Sequence, residues 1–132
     1  MKPLKIRVWV KSLGRMITPK SINFDDDGNI ASVSFVDPQV KEFPEENSIS
    51  GMAFCQFTGF RGVNSAEIYD NDVVDDGEGN IGVIEQNEDG AWVVVFDDGT
   101  TPIEELLSDA SLALSVIGNR FENPEVLEAH DE

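Results

Sequence analysis

Along most of the chain apolar and polar residues alternate with a period of two, the repeat of a half-buried strand and not the 3.6 of an amphipathic helix. In the first segment Leu4, Ile6, Val8 and Val10 fall on one face, while Lys5, Arg7 and Lys11 flank Trp9 on the other. After a short Met16-Ile17 segment, Ser21–Phe24 and Ile30–Phe35 flank Asp25-Asp26-Asp27-Gly28-Asn29. An Asp-Gly turn between alternating segments predicts a hairpin, because Gly and Asn tolerate the positive φ of a tight turn. Residues 37–50, with Pro38, Pro44 and three glutamates, read as a linker dividing the chain into two lobes.

The second lobe begins with Ala53–Thr58 and a glycine-rich turn, Gly59-Phe60-Arg61-Gly62. Strands are expected at Glu67–Tyr69, Asp72–Val74, Ile81–Ile84, Trp92–Phe96 and Leu112–Ile117. The turns Asn87-Glu88-Asp89-Gly90 and Asp97-Asp98-Gly99-Thr100 space them as in a small barrel. The expected inward face holds Ile68, Val73, Ile81, Val83, Val93, Val95 and Val116. Trp92 and Phe96, of opposite parity, are expected to pack against residues 1–24. Ile103–Ser108 is expected to form a helical turn or two after Pro102, and Asn123-Pro124-Glu125 a helix start with cap, first-turn proline and acid. The fold class is mainly β: residues 1–50 form an N-terminal β lobe and acidic linker, and residues 51–132 a C-terminal SH3-like barrel lobe with a terminal helical turn. One integrated domain is the alternative.

Charge sharpens this picture. The 132 residues carry 26 acidic and 9 basic side chains, a formal net charge of -17. Six of the basic residues, Lys2, Lys5, Arg7, Lys11, Arg15 and Lys20, lie within residues 1–24, which contain no acid. Such a dipolar chain can associate head to tail, or fold its basic edge against its own acidic body. A nucleic-acid binder needs a basic face, which only the first strand offers, so direct binding to DNA or RNA is not expected. No apolar run has the length of a membrane span or a signal peptide, and the chain is expected in the cytoplasm.

Chemistry-bearing motifs are few. Gly77-Glu78-Gly79-Asn80-Ile81-Gly82 fits G-x-G-x-x-G, but a strand follows it and Asp75, Asp76 and Glu78 repel phosphate, so a hairpin turn is expected. An EF-hand register from Glu85 ends on Phe96, and one from Asp72 meets Val74 and Val83, none of which offers a side-chain oxygen. Cys55, sharing parity with Ala53 and Phe57, reads as a buried small hydrophobe. His130, the one histidine, lies two residues from the end, where chains fray. No catalytic residue, metal ligand or cofactor site is assigned.

Three separated motifs carry a resemblance: Gln56-Phe57-Thr58-Gly59; Glu67-Ile68-Tyr69 with Asp72-Val73-Val74; and Val116-Ile117-Gly118-Asn119 with Phe121–Leu127. Together with Lys5–Trp9 and Met16, they make the chain resemble the YopX family of bacteriophage and prophage proteins. The resemblance leaves chiefly residues 20–52 without a counterpart. It implies a phage origin and a mainly β fold ending in a small SH3-like barrel, and it brings no active-site residue.

The function expected from these observations is a non-catalytic interaction protein that assembles with itself or docks on another protein. The alternative is an inhibitor that imitates nucleic acid and fills a basic groove on a host protein; an uncharacterised enzyme is the third and least favoured reading. The partner-binding residues expected are Asp70, Asp72, Asp75, Asp76, Glu78, Asp97 and Asp98 on the acidic side, and Lys5, Arg7 and Lys11 on the basic side.

Overall fold

The computed structural model describes residues 5–11, 13–35, 51–97 and 102–130. The expected linker over 37–50, Leu4 and Asp98 lie outside the described residues. The chain divides into two compact units, residues 5–55 and residues 56–132.

In the first unit, β1 (Ile6–Val10) runs between β2 (Arg15–Ile17) and the start of β5 (Met52–Arg61). β3 (Pro19–Phe24) and β4 (Ile30–Phe35) form an antiparallel hairpin. The alternation in β1 works as expected: Val8 and Val10 are buried with Ile17, Val33 and Phe35, and Ile6 packs against them. The Asp-Gly turn closes β3 on β4. The Asp25 carboxylate accepts the N–H groups of Asp27 and Asn29, each at 2.9 Å, while Gly28 takes a φ of 86°.

In the second unit, β5 does not stop at Gly59. It continues to Arg61 because Gly59, at φ 89°, absorbs an irregularity between the Phe57–Tyr69 and Arg61–Glu67 pairs with β6 (Glu67–Tyr69). The turn falls later, in a 3-10 segment at Val63–Ser65. Then follow β7 (Asp72–Asp75), β8 (Ile81–Gln86), β9 (Trp92–Asp97) and β10 (Pro102–Leu106). After them come a short helix α1 (Leu107–Ala110), a 3-10 turn (Ser111–Ala113), β11 (Ser115–Asn119) and α2 (Pro124–His130). Five strands in the order β10-β9-β8-β7-β11, all antiparallel, make a half-barrel. The protein is mainly β.

Three expectations are corrected. The stretch Pro102–Leu106 is a strand, because it satisfies the outer edge of β9 along its length, from Pro102 opposite Asp97 to Leu106 opposite Val93. That ladder outweighs the helix preference of Glu-Glu-Leu, and the helix starts only at Leu107. The strand expected over Leu112–Ile117 begins at Ser115, since Ser111–Ala113 is 3-10. The third concerns the packing of β9. Trp92, Val94 and Phe96 pack with Ile68, Val74, Ile84, Leu107 and Leu114, so the set containing Val93 and Val95 lies on the other face. Ile81 and Val83 are only partly buried, although Val73 and Val93 are fully so. Period two separates the two sets but does not say which face the aromatic rings take.

Gly82 explains the choice. It lies opposite Phe96 in the β8–β9 ladder, and a Cβ built on it would come within 2.6 Å of the Val94 Cγ2 and 3.0 Å of the Phe96 ring. The missing side chain is the space the ring fills. Gly82→Ala is expected to lower unfolding free energy by about 1–3 kcal/mol through overpacking, checked by urea denaturation; Gly82→Ala paired with Phe96→Leu should recover part of the loss.

Candidate functional site

The motifs that carried the family resemblance converge on one turn in the second unit. Asp70 and Asn71 join β6 to β7, with Asn71 at φ 69°. Asp70 donates its backbone N–H to Gln56 O, Asn71 to Ile84 O, and Asn71 O accepts from Arg120 N, at 2.9, 2.9 and 3.0 Å. This turn is tied to β5, to β8 and to the segment after β11.

Side chains complete the lock. The Asp72 carboxylate, 1% exposed, accepts the Tyr69 N–H at 2.7 Å across the turn. Thr58 donates its hydroxyl to Ile68 O at 2.8 Å and accepts the Phe60 N–H, bracing β5 against β6. Beyond β11, buried Asn119 accepts the N–H groups of Phe121 and Glu122 through Oδ1 and donates Nδ2 to Glu122 Oε1. Asn123 does not spend its side chain on α2. Its Oδ1 turns back to accept the Asn119 N–H at 3.2 Å, and its backbone N–H donates to Asn119 O. Gly118, at φ 156°, must be glycine because a Cβ there would collide with that Asn123 carboxamide.

The acids expected to bind a partner therefore fall into separate groups. Asp70 and the interior Asp72 lie at the β6–β7 turn. Asp70 shares its surroundings with Glu85 and Arg120, whose guanidinium donates to Glu85 Oε1 at 2.7 Å. Burial pushes the Asp70 carboxyl above its ordinary value of 3.8; Arg120 and the Asn71 N–H oppose the rise, and Glu85 adds to it. Asp75, Asp76 and Glu78 lie at the other end of β7, and Asp97 ends β9 at that same end of the sheet. Here the glycine-rich segment forms the β7–β8 turn and enters strand β8. Asp75 accepts the Gly77 N–H, and Asp76 accepts those of Glu78 and Asn80 and the Asn80 side-chain amide. The Asn80 amide, followed by the Glu78 N–H, holds the Asp76 carboxyl below its ordinary value.

A further acidic feature was missed in the sequence. Gln86, Asn87, Glu88, Asp89 and Glu104 line a depression of about 360 Å³ beside the β8–β9 turn. Asn87 donates its side-chain amide to Glu104 Oε1 at 3.1 Å across 17 residues of chain. The signal was present only as two turn acids, because joining them to Glu104 requires knowing that β10 is a strand. On the basic side, Arg7 is half-buried in β1, and Lys5 and Lys11, which flank that strand, are exposed. Cys55 is fully buried, as its parity predicted. Among the described residues, no group of three or more His, Cys, Asp or Glu is placed to hold a metal ion. No described helix is long and apolar enough to cross a membrane.

Charge in the second unit is nearly uncompensated. Residues 56–132 hold 19 acids against two cations, Arg61 and Arg120. Arg61 goes to Glu67 at 3.4 Å and to the Phe57 ring face, and Arg120 to Glu85. Arg120 also faces Asp70 at the β6–β7 turn.

A small mainly β protein whose side-chain motifs serve backbone turns, and whose half-barrel carries the negative charge, is thus the class that sequence and fold define. A model of the YopX protein family matches residues 5–128, and the chain belongs to that family. Two solved structures share its fold. Protein yopX from Bacillus subtilis is 19% identical, with a TM-score of 0.55 over 95% of this chain and 98% of that one. Protein EF1440 from Enterococcus faecalis is 16% identical, with a TM-score of 0.55 over 96% and 99%. No curated protein matches the chain.

Two outcomes follow. Asn119→Ala removes a buried network and should cost about 2 kcal/mol or more, read by chemical denaturation. An aspartate whose folded pKa is raised penalises folding above that pKa and ceases to do so below the unfolded value. Asp70→Asn should therefore raise Tm at pH 7, with the gain vanishing as pH falls below 3.8; a constant gain across pH would assign the effect to packing.

Proposed function

We propose that this protein is a non-catalytic interaction protein of phage or prophage origin. It works in the cytoplasm of a bacterial host and engages a basic protein surface through its acidic half-barrel unit. The observation that carries this reading is the charge of residues 56–132, 19 acids against Arg61 and Arg120, which pair with Glu67 and Glu85. Glu78, Glu88, Asp89, Glu104 and Glu105 are exposed, whereas the polar groups of the family motifs are consumed by turns. Lys5 and Lys11, exposed at the two ends of β1, give a second copy a surface of the required sign.

The test combines capture from host lysate with sedimentation of the purified protein, both across a range of ionic strength. Partner association is expected to fall steeply with salt and to survive excess duplex DNA, and Lys5→Glu with Lys11→Glu should reduce self-association. Association indifferent to salt would overturn the reading. Release of a nucleic-acid-binding host protein specifically by duplex DNA would replace it with imitation of nucleic acid.

A further inference from the structure

The two outer strands of the half-barrel differ in how they meet solvent. β11 is interrupted by an irregularity between Val116 and Gly118, and the backbone of its last residue is bonded to Asn123. β10 is regular in register from Pro102 to Leu106, and all five of its residues are exposed. Among the described residues it pairs on one side only, with β9. A regular open edge carrying Ile103 at 51% and Leu106 at 48% exposure is a template for another strand.

Its side chains restrict what that strand can be. Alternation puts Ile103 and Glu105 on one face and Glu104 and Leu106 on the other, so each face presents one apolar and one acidic group. A second β10 aligned antiparallel would set glutamate near glutamate, which is unfavourable. The chain's own basic strand β1 has no open edge, lying between β2 and β5, and β3 carries two irregularities in its pairing. Beside Glu104 lies the depression lined also by Glu88 and Asp89, with room for one long cationic side chain.

We propose that β10 is a strand-addition site for an extended basic segment of a partner protein, of pattern apolar-basic-basic-apolar. The added strand pairs with the β10 backbone, sets one basic side chain toward Glu105 and drops the other into the depression at Glu104. This rests on the acidic-surface reading and names its partner and mode.

The test uses the full chain and two synthetic peptides. One contains Thr-Val-Lys-Lys-Val-Thr; the other has the same sequence with its two valine amides N-methylated, which keeps charge but removes strand donors. Binding is followed by 15N NMR and by amide exchange of residues 103–106. The first peptide should slow exchange in β10, and the methylated one should bind about tenfold more weakly, the loss expected for the one valine N–H that faces β10. Glu104→Lys with Glu105→Lys should abolish binding while leaving the β8–β9 signals in place, showing that the variant is folded. Equal binding of both peptides, with shifts spread over the acidic turns, would overturn strand addition and leave the acidic-surface reading standing. No binding of either peptide would also overturn strand addition, while salt-independent partner capture is what overturns the reading beneath it.

Discussion

The second unit depends on a turn of two residues. Asp70 and Asn71 must reverse the chain between β6 and β7 while their backbone groups serve β5, β8 and the segment beyond β11. Such a turn has little freedom: Asn71 sits in the left-handed region, and Asp72 is buried to accept the Tyr69 N–H. Removing that carboxyl would take the acceptor from a buried N–H, which costs more than the bond itself is worth. The polar side chains of the family motifs are here a set of backbone partners.

This arrangement explains how so acidic a unit folds. The half-barrel holds Ile68, Val74, Ile84, Val94, Leu107 and Leu114 in one cluster, each worth about 1.5–3 kcal/mol when fully buried. The exposed Glu78, Glu88, Asp89, Glu104 and Glu105 lie at turns and on the outer strand, where water screens them. Two of them, Asp75 and Asp76, also fix turn geometry by accepting backbone N–H groups, so charge repulsion is offset locally by hydrogen bonds to the charged form. Glu78, Glu88 and Asp89 stay exposed, and Asp70 marks the limit: burial pushes its carboxyl above the ordinary range despite Arg120.

Much of this was legible in the sequence, and the failures have physical reasons. Val8 and Val10 in β1, the Asp25–Gly28 hairpin and the β7–β8 turn follow from local rules of alternation and turn chemistry, which need no tertiary information. The family motifs were recognisable as a pattern, yet their roles were not, because Asn119 to Asn123 and Asn71 to Arg120 are bonds whose meaning appears only when the turns meet. Gly59 read as a turn because glycine serves bulges as well as turns. Ile103–Ser108 read as helical because its strand conformation is imposed by β9. The five consecutive apolar residues Trp92–Phe96 belong to a strand with buried positions on both faces, and period-two reasoning cannot orient such a strand.

The central claim is that the family motifs act as one structural lock. Native-state hydrogen exchange of the full chain measures this directly, at the amides of Tyr69, Asn71, Asn119 and Arg120. The account predicts that these four exchange together, at the rate of the opening that also releases Ile84 and Val94 in the core. In Asp72→Asn, which keeps the side chain's shape and weakens its acceptor, they should lose protection together. Independent fast exchange at Asn119 and Arg120, or loss confined to Tyr69 in the variant, would contradict it.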